Sequence, residues 1–280
     1  MIEIGEAVRA RQHATTLVGM SADDDARTIR DDPRLRLRPL QRLFELARPW
    51  VLVSLYVALV QHGFLVTSVV VALGACLAAF VQMHDALHES LGLGKRGHAI
   101  VLSLSALLIL KSGHALKATH LRHHGRCLGE DDPEGAPANW SLARVLLSGP
   151  FHILALRREA LRIAPRTRAI QYVETAATVL VLVAATIAYV RFHVIAGVVY
   201  WGVAAFVSST MPLWAAYIPH RLASRNPSIR AAARVAQVWT PIVNSFAFHH
   251  LHHRFPKVPT ALLPRAAERA GACEAHDHLS

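Results

Sequence analysis

Cysteine is scarce in this chain. Cys76, Cys127 and Cys273 are the only three in 280 residues. No CxxC pair occurs, three is an odd number, and Cys76 sits inside an apolar run. A disulfide framework or a cysteine–zinc site is therefore not the organising feature, and a reducing compartment is expected for the parts in water. Acid is also in deficit: 19 Asp and Glu face 30 Lys and Arg, giving a formal net charge of +11 and a pI near 10.4. Nucleic acid is the first partner such a charge suggests. The arginines, however, lie between long apolar blocks, and basic loops of a membrane protein explain them better. No nucleic-acid role is expected. The opening MIEIGEAVRARQHATT lacks an apolar h-region followed by a cleavage site, so no secretory signal peptide is expected.

What is present is apolar residue in blocks. Hydrophobic residues make up 53 % and mean hydropathy is +0.31. Residues 1–45 are polar and charged, with a basic stretch from Arg34 to Arg42, and read as an N-terminal arm. Pro49 and Trp50 open a block at 51–60, Gln61-His62-Gly63 interrupts it, and 64–83 continues it. A second pair of blocks covers 170–190 and 194–218, split by Arg191-Phe192-His193. With their flanks, these blocks approach the length needed to cross a bilayer. They predict two transmembrane hairpins. Residues 142–156 predict an amphipathic surface helix broken near Gly149-Pro150. The expected class is all-α and integral to a membrane, with four crossings, interfacial helices and a histidine-rich cap. The expected divisions are an arm over 1–45, a membrane domain over 46–264 and a polar tail over 265–280.

Histidine is the anomaly, with 18 residues. Eight form three clusters: His84/His88, His120/His123/His124 and His249/His252/His253. The spacings i, i+4 and i, i+3, i+4 put each set on one helical stripe. Eight imidazoles, with His220 as a ninth, exceed what one zinc takes. They suit two metals, and imidazole also suits iron. The apolar segment 99–110 separates the first two clusters. A full crossing there would leave them about 30 Å apart, so a re-entrant or interfacial helix is predicted instead. The arginine-rich stretches (the arm, 157–168 and 221–234) fall on the same side as every cluster. The positive-inside rule makes that side cytoplasmic.

HDALH, HLRHH and HHLHHRFP resemble the three histidine boxes of the membrane fatty acid desaturase/hydroxylase superfamily in order, spacing and placement. Tyr217-Ile218-Pro219-His220-Arg221 looks like the extra histidine that follows the last span in such proteins. The resemblance covers His84 to Pro264. The PHR sequence, and HDALH followed by Ser90, also resemble bacterial β-carotene ketolases of that superfamily. The third box reads HHLHH, where a glutamate often precedes the final pair.

The resemblance implies two irons held by His84, His88, His120, His123, His124, His220, His249, His252 and His253. It implies O2 as co-substrate and electrons from a ferredoxin-like or cytochrome carrier. The expected activity is desaturation or hydroxylation of an acyl chain, an oxidoreductase or monooxygenase reaction on an apolar membrane substrate. Carotenoid ketolase or hydroxylase is the alternative. Asp85, Asp131, Asp132 and also Glu134 are the carboxylates expected behind the histidines. A histidine-rich metal transporter is the alternative of another class. It would carry ionisable residues at mid-membrane depth. The spans hold few, Glu174 being the main one. The expected location is a bacterial inner membrane, with both termini and the metal site cytoplasmic.

Overall fold

The computed structural model describes residues 29, 32–223, 245 and 247–277. The arm over 1–28 and the basic run over 224–234 lie outside the described residues. Helices α1 (Pro39–Gln61) and α2 (Leu65–Leu87) form the first hairpin. Helices α3 (Lys95–Leu108) and α4 (Gly113–Arg126) form a sharply bent pair, followed by α5 (Leu142–Ile163). The second hairpin is α6 (Arg168–Phe192) and α7 (Ile195–Ser209). A π-helical stretch, α8 (Pro212–Ala223), continues α7. Two last helices are α9 (His249–Arg254) and α10 (Leu263–Asp277). No strand occurs among the described residues.

Four stretches are long and apolar enough to cross a membrane: Pro33–Gln61, Leu65–Leu87, Pro165–Phe192 and Ile195–Arg221. Their outer side chains confirm the solvent. Val66 is 83 % exposed, Leu180 67 % and Phe206 65 %. Contiguous apolar surface of this kind is unfavourable in water and neutral in lipid. The chain is thus an all-α integral membrane protein, as expected.

Helix α2 is the centre. Its buried Ala72, Ala75, Cys76 and Ala79 are small. Small residues let α1, α3 and α7 approach it closely. The phenol of Tyr56 on α1 donates to the Ala196 carbonyl on α7 at 2.5 Å, joining the two hairpins.

Helix α1 takes in the end of the stretch expected as the N-terminal arm. It begins at Pro39, inside the predicted arm, and passes through Pro49. Proline has no N–H for the carbonyl four residues back. The abandoned carbonyl of Glu45 accepts instead from the side-chain amide of Gln82 on α2 at 2.8 Å, as does that of Leu46 at 2.9 Å. The Gln82 carbonyl oxygen in turn accepts from Ser105 Oγ on α3 at 2.6 Å. A long-range partner thus replaces the hydrogen bond that Pro49 removes from the helix.

Helix α5 also corrects its prediction. It runs unbroken through Gly149-Pro150. The bare backbone of Gly149 lies against the Ser209 carbonyl at the end of α7, where any Cβ would collide. That close packing holds the helix through the pair. The stretch expected as a polar tail over 265–280 lies largely within a helix. It begins as α10, which buries Leu263, Ala266 and Ala270 along one stripe. Arg269 of α10 pairs with Asp32, tying the two ends of the described chain together.

Helices α3 and α4 meet at an angle of 103°. The imidazoles of His84 and His120, before and after this pair, lie 5.0 Å apart between ring centroids. The chain between them therefore returns to the side it left, as the re-entrant prediction requires. Gly113 permits the bend, since a Cβ there would meet the Leu102 carbonyl at 2.7 Å. Ser112 caps α4, accepting from the Ala115 N–H at 3.2 Å. Glu174 on α6 fastens the bend. It accepts from Ser103 Oγ at 2.6 Å, Ser112 Oγ at 2.6 Å and the His114 N–H at 3.2 Å, and contacts His114 Nδ1 at 2.8 Å.

Candidate metal centre

The last turn of α2 carries His84 and His88, both buried. Between them, Asp85 turns away. It accepts from the Thr260 N–H at 3.0 Å and from Thr260 Oγ1 at 2.7 Å. Thr260 stands just before α10, six residues after the last histidine helix. Asp85 therefore anchors the chain behind the third cluster instead of backing an imidazole. Its nearest approach to one is 4.0 Å, from His84 Nδ1.

Helix α4 supplies His120, His123 and His124. His120 Nδ1 lies 2.5 Å from Glu134 Oε1, and Thr119 Oγ1 donates to the other oxygen at 3.1 Å. His123 Nδ1 lies 2.6 Å from Asp132 Oδ2. Asp132 also accepts from the N–H groups of Leu128 at 2.8 Å and Gly135 at 3.0 Å. These carboxylates accept from Nδ1–H, so the Nε2 lone pairs face inward. Asp131 does not join them. It lies at the surface, paired with Arg126 at 2.5 Å and Arg122 at 3.5 Å. The acidic run 130–134 alternates sides, which a count of acids cannot reveal.

His220 comes from α8. Its π-helical geometry and internal Pro219 shift the register after α7 and turn the imidazole inward. Helix α9 supplies His249 and His252, both buried, and half-buried His253. His250, next in sequence, is exposed.

Two sets of four emerge. His84, His88, His120 and His252 have ligand atoms within 4.8 Å of one another, and so do His123, His220, His249 and His253. His124 sits at the first set, its Nε2 3.1 Å from that of His120 and 3.0 Å from that of His252. Its ring also stacks on His253 at 4.2 Å, bridging toward the second set. Within the sets, Nε2–Nε2 distances are 3.0 Å for His88–His120, 3.0 Å for His123–His220 and 2.9 Å for His220–His249.

These spacings test whether metal fits. Ligands about 2.1 Å from one ion at right angles stand about 3.0 Å apart. Inward lone pairs at that distance repel each other, and a cation between them removes the repulsion. Protonation is the other remedy, but the surroundings oppose it. Burial, then the neighbouring imidazoles, hold His88, His120, His249 and His252 well below the ordinary histidine range. The same causes push His124 and His253 down to about 2. His123 differs: burial opposes its charge most strongly, but the Asp132 hydrogen bond and the charges of Glu134 and Asp132 together outweigh this and raise its pKa. Neutral imidazoles with a carboxylate behind two of them are a metal-ligand set in chemical character.

The nine histidines singled out from the sequence lie together in one region. It missed Thr260 and Thr119. Neither carries a motif; both are recognisable only once the fold brings them to a carboxylate.

Searches of curated proteins and of solved structures find no match. The family model for fatty acid desaturase matches residues 61–279, which covers both hairpins from the first turn onward and every histidine described above. A match over most of the chain, coinciding with a buried two-part histidine centre under two membrane hairpins, identifies an oxidoreductase of the membrane desaturase/hydroxylase type: the chain belongs to the fatty acid desaturase family.

Proposed function

We propose that the protein is an O2-dependent di-iron oxidase that desaturates or hydroxylates the acyl chain of a fatty acid or lipid. One observation carries this reading: eight imidazoles from α2, α4, α8 and α9 divide into two sets of four, with His124 beside both. We assign His84, His88, His120, His124 and His252 to one iron, and His123, His220, His249 and His253 to the other. Two irons supply the chemistry of activating O2 with electrons from an external carrier, a ferredoxin or cytochrome in class. Desaturation takes two hydrogens from adjacent carbons; with O2, two electrons and two protons, it yields one double bond and two waters. Hydroxylation puts one oxygen atom into a C–H bond and releases the other as water.

The chain's own residues do the remaining work. Glu134 and Asp132 hold His120 and His123 in the tautomer that points Nε2 inward. Asp85, through Thr260, holds α9 against α2. Burial of the first set limits water at the reacting carbon. The arginine bias of the flanking stretches supports a cytoplasmic position for this face, in a bacterial inner membrane.

The test has two arms. Metal analysis of purified protein is expected to give about two irons per chain; zinc, or no metal, overturns the proposal. Expression in a host with and without β-carotene, with lipid and pigment mass spectrometry, reads the substrate. New unsaturation or hydroxylation in acyl chains supports the proposal. A keto or hydroxy carotenoid without acyl change overturns the acyl assignment.

A further inference from the structure

A cleft of about 690 Å3 opens where three segments meet: the start of α1 with the residues before it, the turn after α2 and the loop after α9. Four cations line it, Arg36, Arg42, Arg254 and Lys257. One acid, Glu89, lines it with them. That carboxylate is already shared. It accepts from Lys117 Nζ at 3.0 Å, and the Lys257 charge acts on it from further away. With Lys117, five cations stand around one carboxylate.

Arg42 is held in place for a ligand. Its guanidinium lies against Gly92, where a Cβ would come within 2.7 Å of Nη2. Gly92 has a φ of +68°, which glycine adopts without strain. The Nε of Arg42 is buried and makes no hydrogen bond among the described residues. A buried N–H without an acceptor is costly. An anion rich in oxygen supplies that acceptor, and the planar fork of arginine matches phosphate.

Depth identifies the source of the phosphate. Helix α1 has 23 residues, a length of about 35 Å. The hydrocarbon core measures about 30 Å. Arg42, in the first turn of α1, therefore stands at the level of the head groups. Leu40, Leu43 and Phe44, on the same turns, are exposed and belong to the acyl layer just beneath.

We propose that this cleft binds the head group of an anionic phospholipid, its phosphodiester on Arg42 and the flanking cations. The acyl chains lie along Leu40, Leu43 and Phe44 on the outside of α1 and stay in the bilayer. The lipid is thus a ligand of the fold and not of the histidine centre. Gly92 and its turn follow His88, and Arg254 to Val258 follow His253. One head group therefore clamps the ends of both histidine helices to the start of α1. This assignment does not rest on the reaction proposed above.

The test uses the full chain, stripped of lipid in detergent, and native mass spectrometry to count bound lipid. The first dioleoyl phosphatidylglycerol is expected to bind about tenfold more tightly than dioleoyl phosphatidylcholine, the scale of one hydrogen bond to a charged group. Diphytanoyl phosphatidylglycerol, whose chains are branched, is expected to bind equally. A loss of about tenfold there would show that the chains are read, and would overturn the proposal. Glycerol phosphate is not expected to compete; competition equal to that of phosphatidylglycerol would show a site for free phosphate and overturn the lipid assignment. Arg42→Gln is expected to abolish the preference and Arg42→Lys to restore part of it. If Arg42→Gln does not fold, the exposed pair Arg36→Gln and Lys257→Gln together decide, with an expected loss of at least about fivefold; an unchanged preference in that double variant overturns the proposal. Arg166→Gln, at an exposed arginine of the 157–168 stretch, is expected to leave the preference unchanged. A preference kept in folded Arg42→Gln, or lost equally in Arg166→Gln, would show diffuse attraction to a basic face and overturn the site.

Discussion

The two histidine sets are made of different material. The first rests on long helices: His84 and His88 end α2, the most buried span, with half of its apolar window inside the protein. His120 lies on α4, pinned by Glu174 through the bend. Every member of the quartet His84, His88, His120 and His252 is buried. The second set draws His220 from a π-helical stretch and His249 and His253 from a helix of six residues. Two of its four members are only half-buried. One carboxylate serves each set, Glu134 at His120 and Asp132 at His123. The first set is thus fixed by packing that exists without metal. The second relies more on Asp132, on Gly149 packing against the end of α7 and, on the function proposed above, on the metal it would hold.

Substituting one histidine of each set is the strongest way to break this comparison. His252→Ala and His249→Ala are each expected to abolish turnover while leaving membrane insertion intact. Their metal contents should differ in kind. His252→Ala is expected to retain the second metal, and His249→Ala the first, each holding about one iron per chain by elemental analysis. Loss of both irons in both variants would show a single cooperative centre and dissolve the division.

The carboxylates come next. Asp132→Asn and Glu134→Gln are each expected to cost about 10–100-fold in metal affinity or activity. Asp132→Asn should cost more, because Asp132 also accepts two backbone N–H groups that fix the 128–135 loop. Metal-release rates against a chelator measure this. A larger loss in Glu134→Gln would reverse the ranking of the two sets.

Much of this contrast was legible in the sequence, and what was not has a physical cause. Helical spacing alone groups His120 with His123 and His124, and the requirement that clusters meet predicts the return of 99–110. Spacing cannot divide nine histidines between two metals, because neighbours His123 and His124 face different sets. Nor can it say which acids turn inward. Asp132 and Glu134 back histidines while Asp131 meets arginines, since that loop carries no repeat to assign faces. Local reading also failed at Pro150, where a partner distant in sequence, Ser209, packs against the unbroken helix.

Gly149→Ala probes the packing under the second set. The new methyl would meet the Ser209 carbonyl, so a cost of about 1–3 kcal/mol is expected. Thermal unfolding in detergent reads it. The second iron is expected to be lost before the first during the melt. An unchanged melting temperature would show that α5 slides without consequence for α8.

The smallest effect concerns the outer support of the first set. Arg122, on the α4 stripe beside His123, donates to Glu159 on α5 at 2.9 Å. The Arg162 hydrogen bond holds the Glu159 carboxyl below its ordinary value of 4.5; slight burial opposes this, and the Arg162 and Arg122 charges reinforce it. A carboxyl depressed in the folded state adds stability above its unfolded pKa, and that stability disappears as pH falls through the lower folded value. Wild type is therefore expected to lose melting temperature faster than Glu159→Gln below about pH 4.5. Above it, Glu159→Gln should be less stable by under about 1 kcal/mol, the usual worth of a partly exposed ion pair. Parallel pH profiles for the two proteins would show that α4 is held by Glu174 and its own packing alone, and that the support of the first set lies entirely on its membrane side.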